Sequence, residues 1–216
     1  MNSYFTILDE TESETIIERS KFICKLKAIN SEEEAKEFIK ERKKEHSLAT
    51  HNCYAFIADN LGQVKKFSDD GEPQGTAGAP MLDVLIKENI FMVSCVVTRY
   101  FGGIKLGTGG LTRAYSGAVK SCLAKAKIVK MTYSNIYQID LSYDNYSNFL
   151  RLKEELGFLI LGIDFNQNIK IEIAVKEERN DQFNKKIMDY FNGVVVPKLM
   201  DNRYCAYEEK CWRLLD

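Results

Sequence analysis

VVTRYFGGIKLGTGGLTRAYSGA, residues 96–118, passes from an apolar β-branched stretch through the five glycines of 102–110 into a segment of helical periodicity. Just upstream, FMVSCVV (91–97) is nearly continuous in apolar character, which predicts a central strand. Downstream, Leu111, Ala114, Tyr115, Ala118, Cys122 and Ala126 fall on one face of a long amphipathic helix. The sequence therefore reads as strand, glycine-rich loop and helix, with the loop feeding the helix amino terminus.

Working outward, ten of the 13 glycines lie between residues 62 and 117, in two clusters that bracket a helix-like stretch at 80–88. HNCYAFIAD (51–59) and VKKFSD (64–69), separated by Asn60-Leu61-Gly62-Gln63, predict a β-hairpin. Before it, Ser31 and Glu34 form a capping-box signature, and Ala35, Phe38 and Ile39 repeat at helical spacing to about His46. ETIIERSKFICKLKAI (14–29) predicts one long strand or a strand hairpin. After residue 133 the pattern resets as strand (134–143), helix (145–156), strands (157–165 and 168–176), helix (179–191) and strand (203–213). That order is the ferredoxin-like βαββαβ arrangement, so two domains are expected, 1–132 and 133–216, in an α+β protein.

The chain has 216 residues, 45% apolar and 28% charged with three prolines, a composition that excludes disorder as the main state. No uncharged stretch exceeds ten residues, against roughly 20 for a membrane-spanning helix, so no membrane partner is expected. MNSYFTILDETESE meets acids before any base and lacks an apolar run, which predicts no secretory signal and a cytoplasmic location. Six cysteines (24, 53, 95, 122, 205 and 211) contain no C-x-x-C pair and sit mostly in strand-like or helix-like runs, so they read as reduced core thiols.

The formal charge of −1 conceals an uneven distribution. Between Glu88 and Asp140 lie 51 residues without an acid, while Arg99, Lys105, Arg113, Lys120, Lys125, Lys127 and Lys130 are all basic. Arg113, Lys120 and Lys127 recur every seven residues, a stripe of about 21 Å on a helix that can track phosphates. A solvated face is the plainer reading, but such faces usually mix both signs. The glycines Gly107, Gly109 and Gly110 before an acid-free helix start suit an anion, with Lys105, Arg99 and Arg113 as counter-charge; tight turns and close packing are the alternative. The loop is neither a Walker A motif nor a dinucleotide fingerprint.

FSDDGEPQGTAGAP (67–80) groups Asp69, Asp70 and Glu72 around Gly71. Three carboxylates can hold Mg²⁺, whereas turn chemistry, or pairing with Arg99 or Arg113 to fix both loops, needs no metal. His51-x-Cys53 places an imidazole and a thiol on one strand face, which suits catalysis, metal binding or simple core packing.

ATHNCYAF (49–56), SDDGEPQGTAGAP (68–80) and VVTRYFGGIKLGTGGLTRAYSGA (96–118) together resemble the YigZ/IMPACT family. The resemblance implies an amino-terminal α/β domain like domain IV of elongation factor G, a fold also seen in domain 2 of a ribosomal protein and in small-molecule kinases. It implies a tail like domain V of the same factor, contact with RNA or the ribosome, and a role in modulating translation. A protein partner is known for eukaryotic relatives that carry an additional amino-terminal module. Residue by residue it points to Asp69, Asp70, Gly71, Glu72, Thr98, Arg99, Gly102, Gly103, Gly107, Gly109, Gly110 and Arg113 as the functional surface. The leading expectation is RNA or ribosome binding without catalysis and without a cofactor. Its rivals are a Mg²⁺-dependent enzyme acting on a nucleotide or phosphorylated small molecule, and a protein-interaction adaptor. Oligomeric state is not legible.

Overall fold

The central strand owes its unbroken apolar run to being covered on both sides. In the computed structural model, which describes residues 3–207, β2 (Thr11–Ile17), β3 (Ser20–Ala28), β4 (His51–Ile57), β5 (Lys65–Ser68) and β6 (Val93–Tyr100) form a five-stranded sheet. Its order is β2-β3-β6-β4-β5, antiparallel throughout, with β6 in the middle. One face carries Phe22, Cys24, Leu26, Cys53, Cys95 and Val97 against α2 (Gly78–Lys87) and α3 (Gly107–Leu123). The other packs Phe56 and Val96 on Ala35, Phe38 and Ile39 of α1 (Glu32–Glu45).

Local chemistry sets the element ends. Ser31 caps α1, its Oγ accepting from the Glu34 N–H, while the Glu34 carboxylate reaches back to the Asn30 N–H. The 14–29 segment is a hairpin, closed by Glu18 and Arg19 in the left-handed region (φ 45° and 62°). The helix placed downstream of a 102–110 loop starts earlier than its sequence suggests, at Gly107, so Gly109 and Gly110 lie in its first turn.

A short strand not anticipated from sequence, β1 (Ser3–Ile7), buries Ile7 in the first core. The Phe5 carbonyl accepts from the Phe91 N–H, and the Leu8 N–H donates to the Lys127 carbonyl.

Two compact units divide the chain, Ser3–Lys130 and Met131–Tyr207 among the described residues, with the division inside β7 (Ile128–Leu141). The second continues as α4 (Tyr143–Leu156), β8 (Leu159–Phe165), β9 (Ile169–Lys176), a 3-10 turn (Glu177–Arg179), α5 (Asn180–Tyr190) and β10 (Lys198–Tyr207). Its strands run β10-β7-β9-β8. Alternate residues Tyr137, Ile139, Leu141, Ile169, Ile171 and Ile173 face the helices and pack on Phe149, Leu152, Phe183 and Ile187. The last strand begins before the 203–213 read from sequence, and residues 208–213 lie outside the described ones. Cys24, Cys53, Cys95, Cys122 and Cys205 are buried free thiols; Cys211 lies outside the described residues. No helix among the described residues is long and apolar enough to cross a membrane.

Candidate functional site

The two glycine-rich segments of the first unit meet, and the acids of the first are spent on protein donors. Asp69 holds the start of α2: its Oδ1 accepts from the Ala77 and Gly78 N–H groups at 3.0 and 2.8 Å, and its Oδ2 from Gly75 at 2.8 Å. The helix has no other side-chain cap. Asp70, at φ 45°, accepts from the Asn52 N–H at 2.7 Å and from the Lys43 ammonium at 2.5 Å. Gly71 follows at φ 89°. Glu72 turns inward, and its Oε1 accepts from Arg99 Nη1 and from the Tyr115 hydroxyl, both at 2.7 Å.

Arg99 sits in a row across three strands, opposite Phe22 on β3 and His51 on β4. Its guanidinium lies 5.4 and 5.3 Å from the ring centroids of Phe22 and Phe101, and also donates to Ser20 Oγ at 3.3 Å. Ser20 Oγ further accepts the Gly102 N–H at 3.2 Å. Gly102 is required there, because a Cβ would stand 2.1 Å from the Arg19 carbonyl. Burial raises the Tyr115 phenol far above its usual value, helped by Cys53 and Glu72, so it remains a donor to the carboxylate.

This arrangement decides between the two readings of Arg99: it is buried and Glu72 meets its charge, as in pairing between the two segments, and not as exposed counter-charge for an anion. It also disposes of a Mg²⁺ triad. The carboxylates of Asp69, Asp70 and Glu72 answer separate donors, and among the described residues no three His, Cys, Asp or Glu side chains converge as metal ligands. The Cys53 thiol donates to the Asp69 carbonyl at 2.9 Å and burial pushes it up to about 12, which removes it as a thiolate nucleophile. Thr98 is likewise internal, its hydroxyl donating to Asn52 Oδ1 at 2.8 Å.

Between the segments opens a cleft of about 440 Å³ walled by His51, Glu72, Arg99, Phe101, Lys105 and Thr108. A second hollow, of about 460 Å³, is lined by Glu18, Lys105, Gly110 and Arg113. Lys105 and Leu106 belong to both. Gly103 is exposed at φ 87°, on the way to Gly107 at φ 68°. No side chain caps α3 and no acid occupies its first turn, leaving the unbonded N–H groups of a helix start and the positive end of its dipole.

Arg113 and Lys120 are exposed on α3, and neither they nor Lys105 pair with an acid among the described residues. The third member of the stripe is not on the helix. α3 ends at Leu123, and the chain turns so that the Lys127 carbonyl accepts from Leu8, leaving Arg113 and Lys120 about 10 Å apart along the axis. Sequence reading left out Ser20, Asn52 and Lys43, which have no local signature, and it placed Tyr115 in the core without its hydroxyl's partner.

Residues 18–123 match the model of the Impact N-terminal domain, and 139–194 that of a domain of unknown function, DUF1949. The chain is 40% identical over 193 residues to the IMPACT family member YvyE of Bacillus subtilis, covering 89% of each. It is 34% identical over 179 residues to the IMPACT family member YigZ of Escherichia coli, covering 82% of this chain and 88% of that one. A crystal structure of a hypothetical protein is similar at 31% identity and a TM-score of 0.61, covering 93% of this chain and 98% of that one.

Proposed function

The chain belongs to the IMPACT family, and from that premise we propose that it is a cytoplasmic protein that binds RNA or the ribosome and modulates translation. The observation that carries the reading is the start of α3: an uncapped helix amino terminus with no acid in its first turn, flanked by Lys105, Arg113 and Lys120 without ion partners among the described residues. Phosphates are the ligand such a surface favours, because helix-start N–H groups supply short-range donors and the lysines and arginine supply longer-range attraction. Domains resembling domains IV and V of elongation factor G, the second of ferredoxin-like type, fit the same reading. Domain limits of 1–132 and 133–216 belong to it as well.

Binding of a labelled single-stranded RNA across a salt series tests this. Affinity falls with salt at a log-log slope of about −0.7 per neutralised phosphate, and changing Arg113 and Lys120 to Ala makes the slope shallower by about 1.4. Affinity that ignores salt, or a slope unchanged by the double substitution, rejects the reading.

A further inference from the structure

In the cleft beside the Glu72–Arg99 pair, His51 Nε2 and Glu72 Oε2 stand side by side. His51 Nδ1 lies 2.8 Å from the Asp70 carbonyl oxygen, which can only accept, so the ring carries its proton on Nδ1. In the neutral ring Nε2 then presents a lone pair. Glu72 Oε2 stands 3.8 Å from that nitrogen, beyond hydrogen-bond reach, while the other carboxylate oxygen takes both Arg99 and Tyr115. Glu72 Oε2 accepts no hydrogen bond from a described residue, although the Glu72 side chain is only 3% exposed, and His51, 19% exposed, opens onto the same cleft. Both atoms line the cleft, and two vicinal hydroxyls of a ligand would supply one proton to the carboxylate oxygen and one to the ring nitrogen.

The same cleft has anion and base chemistry in its walls. Lys105, Gly107 and Thr108 bring an ammonium and the uncapped start of α3. Phe101, 46% exposed with Arg99 against its ring, together with Pro73 offers an apolar surface for a planar base. A volume of about 440 Å³ lies in the range of small-molecule sites. We propose that the cleft binds a ribonucleoside 5′-phosphate with a free 2′,3′-diol, the diol donating to His51 Nε2 and Glu72 Oε2 and the phosphate meeting Lys105 and the α3 amino terminus. That chemistry has two sources, a free mononucleotide and the 3′ end of an RNA. Only the second rests on the RNA reading above.

Calorimetric titration of the full chain with adenosine 5′-monophosphate, its 2′,3′-dideoxy analogue and adenosine tests the site. The monophosphate binds, and the dideoxy analogue and adenosine each bind at least tenfold more weakly. His51→Leu, which leaves the Glu72–Arg99 pair and the Glu72 Oε2 acceptor in place, reduces the difference between the monophosphate and its dideoxy analogue. Absence of binding by the monophosphate, or equal affinity of wild type for the two, overturns the proposal; because that comparison is made on wild type, it does not depend on any variant folding. Octauridylate with an intact or a periodate-oxidised 3′ end then identifies the source. Tighter binding of the intact end supports the RNA terminus as occupant, and equal binding supports the free nucleotide. Lys120→Ala, farther along α3 from the proposed phosphate position, weakens octauridylate while leaving the monophosphate unaffected. Monophosphate binding with no octauridylate binding sinks the RNA reading and sustains the site.

Discussion

Glu72 Oε1 and Arg99 Nη1 are 2.7 Å apart, with 3% and 5% of their side chains exposed, so the loop after β5 and the central strand share one buried ion pair. Tyr115 on α3 closes the triangle. Removing one partner strands the other charge, at a cost of about 3–5 kcal/mol, whereas replacing both with apolar groups of similar size is far milder. Glu72→Ala is therefore expected to lower stability by that amount in urea unfolding, and Glu72→Leu combined with Arg99→Met to lower it less. A double variant as unstable as the sum of the two single ones contradicts direct coupling.

Gly102 and Gly103 are adjacent but constrained differently. A Cβ on Gly102 meets the Arg19 backbone at 2.1 Å, while one on Gly103 meets open space and only the φ of 87° opposes it. Gly103→Ala is expected to cost about 1–2 kcal/mol from the left-handed backbone alone. Gly102→Ala must also displace the 18–19 turn and its Ser20 contact, so it costs more. Equal midpoints for the two variants in thermal unfolding contradict the close approach.

How much of this was legible in the sequence differs residue by residue. Residues 91–118 announced a central strand and a helix because covering β6 on both faces leaves a local, apolar signature at Cys95, Val96 and Val97. For Arg99 the sequence offers two roles, counter-charge for an anion and partner of an acid in 69–72, and residue types alone do not choose between them; the fold selects Glu72, 27 positions away. Asp69 and Asp70 suggest metal ligation because their donors, Gly75, Ala77, Gly78, Asn52 and Lys43, become visible only once the loop is folded. The seven-residue stripe ran on to Lys127 because neither Gly nor Pro marks the end of α3. β1 escaped because its five residues are held by chain about 86 to 119 positions away, at Phe91, Met92 and Lys127.

The turn joining β2 to β3 places Glu18 and Arg19 at φ 45° and 62°, a two-residue hairpin connection with both positions left-handed. Asn-Gly is the pair best suited to that geometry, and neither residue present matches it. Glu18→Asn with Arg19→Gly relieves the backbone, and a gain of about 1 kcal/mol is expected in chemical denaturation. A loss of stability contradicts this account and assigns the two side chains a stabilising role that outweighs the strain.

His46 Nδ1 lies 2.9 Å from the Tyr100 hydroxyl near the end of α1. Burial lowers its pKa below the ordinary 6.5, the Arg42 guanidinium and Lys21 add to that, and Glu45 and Glu12 oppose it. With the folded value below the unfolded one, the unfolded chain takes up a proton that the folded chain resists over the interval between them. The contribution of the neutral ring is complete above about pH 6.5 and is lost as pH falls through the folded-state value. His46→Gln keeps an amide for Tyr100 and removes the titration, while His51 is common to both proteins and cancels in the comparison. Urea unfolding at pH 7 and pH 5 should therefore show wild type losing more stability than His46→Gln between the two conditions. Equal losses would mean that His46 takes its proton as readily in the folded protein as in the unfolded chain.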